Sequence, residues 1–142
     1  MKKENKISGR IEDKVEEIEN YIQELEEIIP SSYEEYINDN LSKAACERYF
    51  EKIVEAVVDL AFLIIKSKES KIPESDLEVF DILFKHNLIS FELSEKLKDA
   101  KRMRNVIVHE YGKIDDPLVY HSLTEELIND VLEFVKCIKE KS

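Results

Sequence analysis

The residues best suited to chemistry lie together in RMRNVIVHEYG, Arg102 to Gly112, where two arginines, an asparagine, a histidine and a tyrosine surround three β-branched residues. Histidine moves protons near neutral pH, its unperturbed pKa being about 6.5. Arginine is an always-charged planar donor suited to carboxylates and phosphates. The spacing is that of a helix. At about 100° per residue, Leu93, Leu97, Ala100 and Ile107 define an inward stripe, and Arg104 and Tyr111, seven residues apart, fall inside it. A guanidinium buried there costs several kcal/mol unless an anion pairs with it, so Arg104 needs either an internal partner, Glu55 or Asp59, or a ligand. Arg102, Asn105 and His109 share the other side, with Asn105 and His109 spaced i, i+4 and able to touch. Arg104 and His109 then diverge by about 140° on an unbroken helix. A site that uses both requires the helix to loosen near Val108 or a second subunit to close the gap.

These residues also allow ordinary structural roles. His109 can be a polar residue near a helix end, Arg104 one half of an internal ion pair, and Tyr111 a core aromatic with its hydroxyl at the edge. Lys96, Lys98, Lys101, Arg102 and Arg104 fall within nine residues opposed only by Asp99, and Lys113 lies just beyond. That run reads either as a solvated helix face or as a phosphate-contacting patch. The formal net charge of −11 works against indiscriminate nucleic-acid binding.

The elements that must position the motif are helices. Two glycines and three prolines punctuate 142 residues dominated by Ile, Leu, Val, Glu and Lys, the composition of an all-α chain and enough for one domain, 1–142, with its own core. Ile7, Ile11, Val15, Ile18, Ile22, Leu25 and Ile29 step by fours and threes up to Pro30. Ser31 or Ser32 caps the next helix, with Glu34 and Glu35 in its first turn. Leu41 to Lys66 is the most apolar helix, and Glu51, Glu55 and Asp59 keep one polar stripe along it. Further helices are predicted from Leu77 to about His86, from Glu92 to about Tyr111 and from Thr124 to Lys139. Four or five helices with short connections predict an antiparallel up-and-down bundle. Cys46 and Cys137 lack CxxC spacing and read as small hydrophobes, so no metal site is expected. The charged start MKKENKISGRIEDK and the lack of an apolar run near ~20 residues predict a cytoplasmic protein with no membrane segment.

The stretch Arg104-Asn105-Val106-Ile107-Val108-His109-Glu110-Tyr111 resembles the R-x4-H-x-Y signature of the HepT toxins, a branch of the HEPN ribonucleases. The resemblance extends over CERYFEKIVEAVVDLAFLII, IPESDLEVFDILFKHNLIS and RNVIVHEYGKID, nearly the whole chain. It implies a homodimeric HEPN-like bundle that cleaves RNA without a cofactor or metal through Arg104, Asn105 and His109. It also implies an MNT-type nucleotidyltransferase antitoxin as partner, which neutralises such toxins by transferring AMP to the motif tyrosine, here Tyr111. Lys101, Arg102 and Lys113 are the candidate RNA contacts. Within the resemblance, His109 would exchange a proton with the 2′-hydroxyl or the departing oxygen, Arg104 would meet the phosphoryl charge, and Asn105 would orient His109 or donate to the phosphate. The alternative is a non-catalytic HEPN subunit that holds a nucleotide for a nucleotidyltransferase.

Overall fold

The structure, a computed structural model, describes residues 2–109 and 112–141, with side chains described from Ser8 onward. It is all-α: α1 (Lys2–Ile28), α2 (Tyr33–Asn38), α3 (Asn40–Ser67), α4 (Glu78–Lys85), α5 (Phe91–His109), α6 (Asp116–His121), a π-helical turn (Ser122–Glu126) and α7 (Leu127–Lys141). The long helices run up and down. Tyr49 donates to Glu24 while Lys14 pairs with Asp59, which sets α3 antiparallel to α1. Lys139 reaches Glu19 and the Tyr120 hydroxyl reaches the Pro30 carbonyl, which sets α7 antiparallel to α1 as well.

Local chemistry fixes the boundaries. Pro30 comes just after α1, and the Ser32 hydroxyl accepts from the Glu35 amide at 3.1 Å to start α2, so Ser32 rather than Ser31 is the cap. One carboxylate oxygen of Asp39 accepts from the Leu41 and Ser42 amides and starts α3. Ser90 caps α5 through the Leu93 amide at 3.0 Å. The last helix begins earlier than Thr124. Asp115 accepts from the Leu118 amide at 3.1 Å and Pro117 stands in the first turn, where its fixed φ favours helix and its missing N–H costs nothing. The rod then passes through the π turn, in which Leu127 donates to the Ser122 carbonyl. Thr124 Oγ1 meanwhile donates to the Tyr120 carbonyl at 2.9 Å, competing for an acceptor that the helical backbone would otherwise use.

The core is centred on α3. Phe50, Ile53, Leu60, Ala61 and Ile64 are fully buried, joined by Ile18 and Leu25 from α1, Phe80 and Leu83 from α4, and Phe134 from α7. Phe80 and Phe134 meet edge to face with centroids 6.5 Å apart. Cys46 is buried, which pushes its thiol up to about 11, and Cys137 is partly buried. Among the described residues no helix is long and apolar enough to cross a membrane. α5 packs against α3, α4 and α7, which puts the motif helix in contact with three others.

Candidate functional site

Arg104 projects from α5 toward the polar stripe of α3. Its Nη2 lies 3.9 Å from Glu51 Oε1 and 3.9 Å from Glu55 Oε2, and its Nε is buried with no hydrogen-bond partner among the described residues. Glu55 is one of the two partners expected; the other, Asp59, turns instead to Lys14 at 3.7 Å, where burial still pushes its carboxyl above the ordinary carboxylate range. Glu51 takes its place, because steps of four along α3 move each carboxylate about 40° around the helix and carry Asp59 toward α1. Glu51 is also shared, its Oε1 lying 2.9 Å from Arg48 on the adjacent turn of α3. Both contacts of Arg104 are longer than the 2.7–2.9 Å of a charge-assisted hydrogen bond. The guanidinium is shielded from water without being tightly held.

Asn105 does not turn to His109. Its Oδ1 accepts from Lys101 Nζ at 3.0 Å and from Arg104 Nη1 at 3.5 Å. Side chains on a helix lean toward its N-terminus, so the partner four residues earlier is reached in preference to the one four residues later. Lys101 itself is buried, and its ammonium also meets Asp76 Oδ2 at 3.3 Å, from the loop before α4. His109 is exposed and is the last residue described on α5. Tyr111, the candidate for AMP attachment, lies outside the described residues. Gly112, the first residue described beyond it, has φ +84°, a left-handed conformation that glycine adopts without strain.

The basic run is largely neutralised. Lys98 lies 2.7 Å from both Asp81 and Glu95, Arg102 lies 2.8 Å from Asp99, and Lys101 and Arg104 have the partners given above. Of the three candidate RNA contacts, Arg102 and Lys113 are exposed, whereas Lys101 is covered. The structure therefore groups Arg104, Asn105 and Lys101 into one hydrogen-bonded set framed by Glu51, Glu55 and Asp76, with His109 at the end of the same helix. Glu51 and Asp76 are not among the residues that the sequence singles out for the site. The first belongs to a recognisable polar stripe; the second, a loop acid, carries no pattern that could find it.

Comparison with known proteins gives this arrangement a family. The Ribonuclease HepT-like family model matches residues 18–138. The chain is 33% identical over 89 residues to the mRNA nuclease HepT of Shewanella oneidensis, covering 63% of this chain and 66% of that protein, just under two thirds of its length. It is 26% identical over 114 residues to the tRNA nuclease HepT of Aphanizomenon flos-aquae, covering 80% of this chain and 78% of that protein. Among solved structures, the tri-AMPylated Shewanella oneidensis HEPN toxin in complex with MNT antitoxin superposes with a TM-score of 0.86 at 25% identity, over 92% of this chain and 97% of that one. A bundle of this topology, with Arg104, Asn105 and His109 on one helix, and a family match spanning most of its length lead to one conclusion: the chain belongs to the Ribonuclease HepT-like family.

Proposed function

We propose that the chain is a cytoplasmic endoribonuclease, the toxin of a HEPN/MNT toxin–antitoxin pair, and that it cleaves RNA through Arg104, Asn105 and His109. The observation that carries this reading is the state of Arg104: turned inward, with a buried Nε that meets no partner among the described residues and two carboxylates at 3.9 Å. A guanidinium whose only role was to close an internal ion pair would be expected to pair more tightly, because the cost of burial is offset only by well-formed bonds. A phosphodiester supplies the missing acceptors.

In the proposed reaction the 2′-oxygen forms a bond to phosphorus while the bond to the 5′-oxygen breaks. His109 takes the 2′-hydroxyl proton, and its imidazole, exposed at the end of α5, is open to a substrate. Arg104 meets the charge that grows on the phosphoryl oxygens, where a permanent cation in a partly desolvated place is most effective. The departing 5′-oxygen gains a proton, and a second His109 from another copy of the chain is the group proposed to give it. That assignment requires a homodimer. These groups suffice for the step, and no metal ion enters it. The partner proposed is an MNT-type nucleotidyltransferase that silences the toxin by attaching AMP to Tyr111.

The test is cleavage of defined RNAs by purified protein. Wild type should release products ending in 2′,3′-cyclic phosphate and 5′-hydroxyl, with EDTA present, and Arg104→Ala and His109→Ala should each lower the rate by about 10²-fold or more, the usual scale for acid–base or charge-stabilising groups. Full activity of either variant removes the site assignment. Incubation with the partner and ATP should add AMP mass to wild type and none to Tyr111→Phe; equal labelling of both excludes Tyr111 as the acceptor.

A further inference from the structure

Among the described residues Lys101 is the one charged residue that is buried, 9% exposed. A leucine or methionine at this position would cover the core at no electrostatic cost, so the ammonium needs a reason to be there. It bridges two groups, Asp76 Oδ2 at 3.3 Å and Asn105 Oδ1 at 3.0 Å. Arg104 Nη1 approaches the same Asn105 oxygen at 3.5 Å. Lysine and arginine have donors and no acceptors. An asparagine set between two such cations has only one stable orientation, with its carbonyl oxygen toward them, since the flipped amide would set N–H groups against N–H groups. The orientation is dictated by chemistry, and with Oδ1 so engaged the Nδ2 group is turned away from both cations. Among the described residues no acceptor meets Nδ2.

We infer that Lys101, anchored by Asp76, is a positioning residue that fixes the Asn105 amide with its NH2 group presented to substrate, so that Asn105 donates a hydrogen bond to a phosphodiester oxygen of RNA. This rests on the ribonuclease reading and deepens it, deciding between two roles that the sequence leaves open for Asn105. With its oxygen occupied, Asn105 does not accept from an imidazole N–H and does not orient His109 in that way. It also reassigns Lys101, which acts through Asn105 and touches no RNA. Asp76 becomes part of the site from a loop 25 or more residues before the motif.

The experiment measures single-turnover and steady-state cleavage of a defined RNA, with oxygen or sulfur at each non-bridging position of the scissile phosphate. Lys101→Met keeps the apolar stem and removes the ammonium; it should lower kcat about tenfold, one lost charge-assisted contact at the transition state, with KM little changed. The sulfur penalty at the contacted oxygen should shrink equally in Lys101→Met and in Asn105→Ala, and the double variant should be no slower than Asn105→Ala alone. Multiplicative losses, or a loss carried by KM, would mean that Lys101 contacts RNA itself and would overturn the inference. A second readout needs no substrate. In 15N spectra the side-chain amide pair of Asn105, identified by its absence in Asn105→Ala, should lie apart from exposed asparagines and move toward them in both Lys101→Met and Asp76→Asn, while backbone resonances of the bundle stay in place. Unmoved Asn105 resonances overturn the positioning role. If wild type cleaves no RNA, the ribonuclease reading falls and the donor role with it, while the amide spectra still decide whether Lys101 orients Asn105.

Discussion

Asn105 sits between two cations, and that placement makes its replacement by aspartate informative. A carboxylate there would form full ion pairs with Lys101 and Arg104 in place of the bonds that the neutral amide oxygen accepts at 3.0 and 3.5 Å. Asn105→Asp is expected to raise the melting temperature and at the same time to abolish RNA cleavage, because it tightens the internal set and removes both N–H donors. Thermal unfolding and cleavage measured on the same preparation check this; an active variant would show that no donor is needed from position 105. The motif itself is legible in the sequence, and so is the inward direction of Arg104. Lys101 reads as a surface cation when charge is weighed before azimuth. At 100° per residue it lies only 40° from Leu97, inside the edge of the buried stripe that the structure shows at Leu93, Ser94, Leu97 and Ile107. Arg102, a further 100° around, is the one that faces solvent.

Helix starts are readable wherever a capping side chain stands before an apolar pattern. Ser32 and Ser90 show this, and Asp115-Asp116-Pro117 carries the same kind of start for α6, masked because only Val119 is buried in that helix and its own periodicity is too short to register. The π turn is not readable, since residues 122–126 carry no pattern that sets them apart from the α-helix on either side, and the Thr124 hydroxyl's bond to the Tyr120 carbonyl within it appears only in the folded chain. α7 holds a carboxylate in an unfavourable setting. Burial pushes the pKa of Asp130 above its ordinary value, against a smaller opposing pull from Lys96. A carboxyl with a raised folded-state pKa disfavours folding while ionised, and the penalty fades as the pH falls through that folded value. Asp130→Asn should therefore raise the melting temperature at pH 7, and its advantage over wild type should shrink as the pH is lowered and the wild-type carboxyl takes up its proton. Urea or thermal unfolding across pH 4–8 checks the sign; a gain that grows toward acid would contradict the assignment to burial.

Across the whole molecule, α3 packs against α1, α2, α4 and α5, and its apolar run KIVEAVVDLAFLIIK already identifies it as central in the sequence. Leu60 is 0% exposed. Leu60→Ala should cost about 2–5 kcal/mol of unfolding free energy, the lost transfer energy plus a cavity that the surrounding helices cannot wholly close; a loss under about 1 kcal/mol in urea unfolding would show that the bundle collapses around the gap. The ends of α7 are also tied down. Lys139 pairs with Glu19 at 2.9 Å, Lys141 donates to the Asn87 carbonyl at 3.0 Å, and at the other end of the rod Tyr120 holds Pro30 at 2.7 Å. A rod fixed at both ends cannot rotate to absorb a change in length, and one residue removed from α7 would turn Phe134 and Ile138 about 100° out of the core. The π turn at Ser122–Glu126 is the exception, because it already holds one residue more per turn than the α-helix on either side. A copy of this chain one residue shorter at that turn could close it into ordinary helix and keep both anchored ends in register, which makes Ser122–Glu126 the place along the rod where single-residue insertions and deletions could accumulate as such chains diverge.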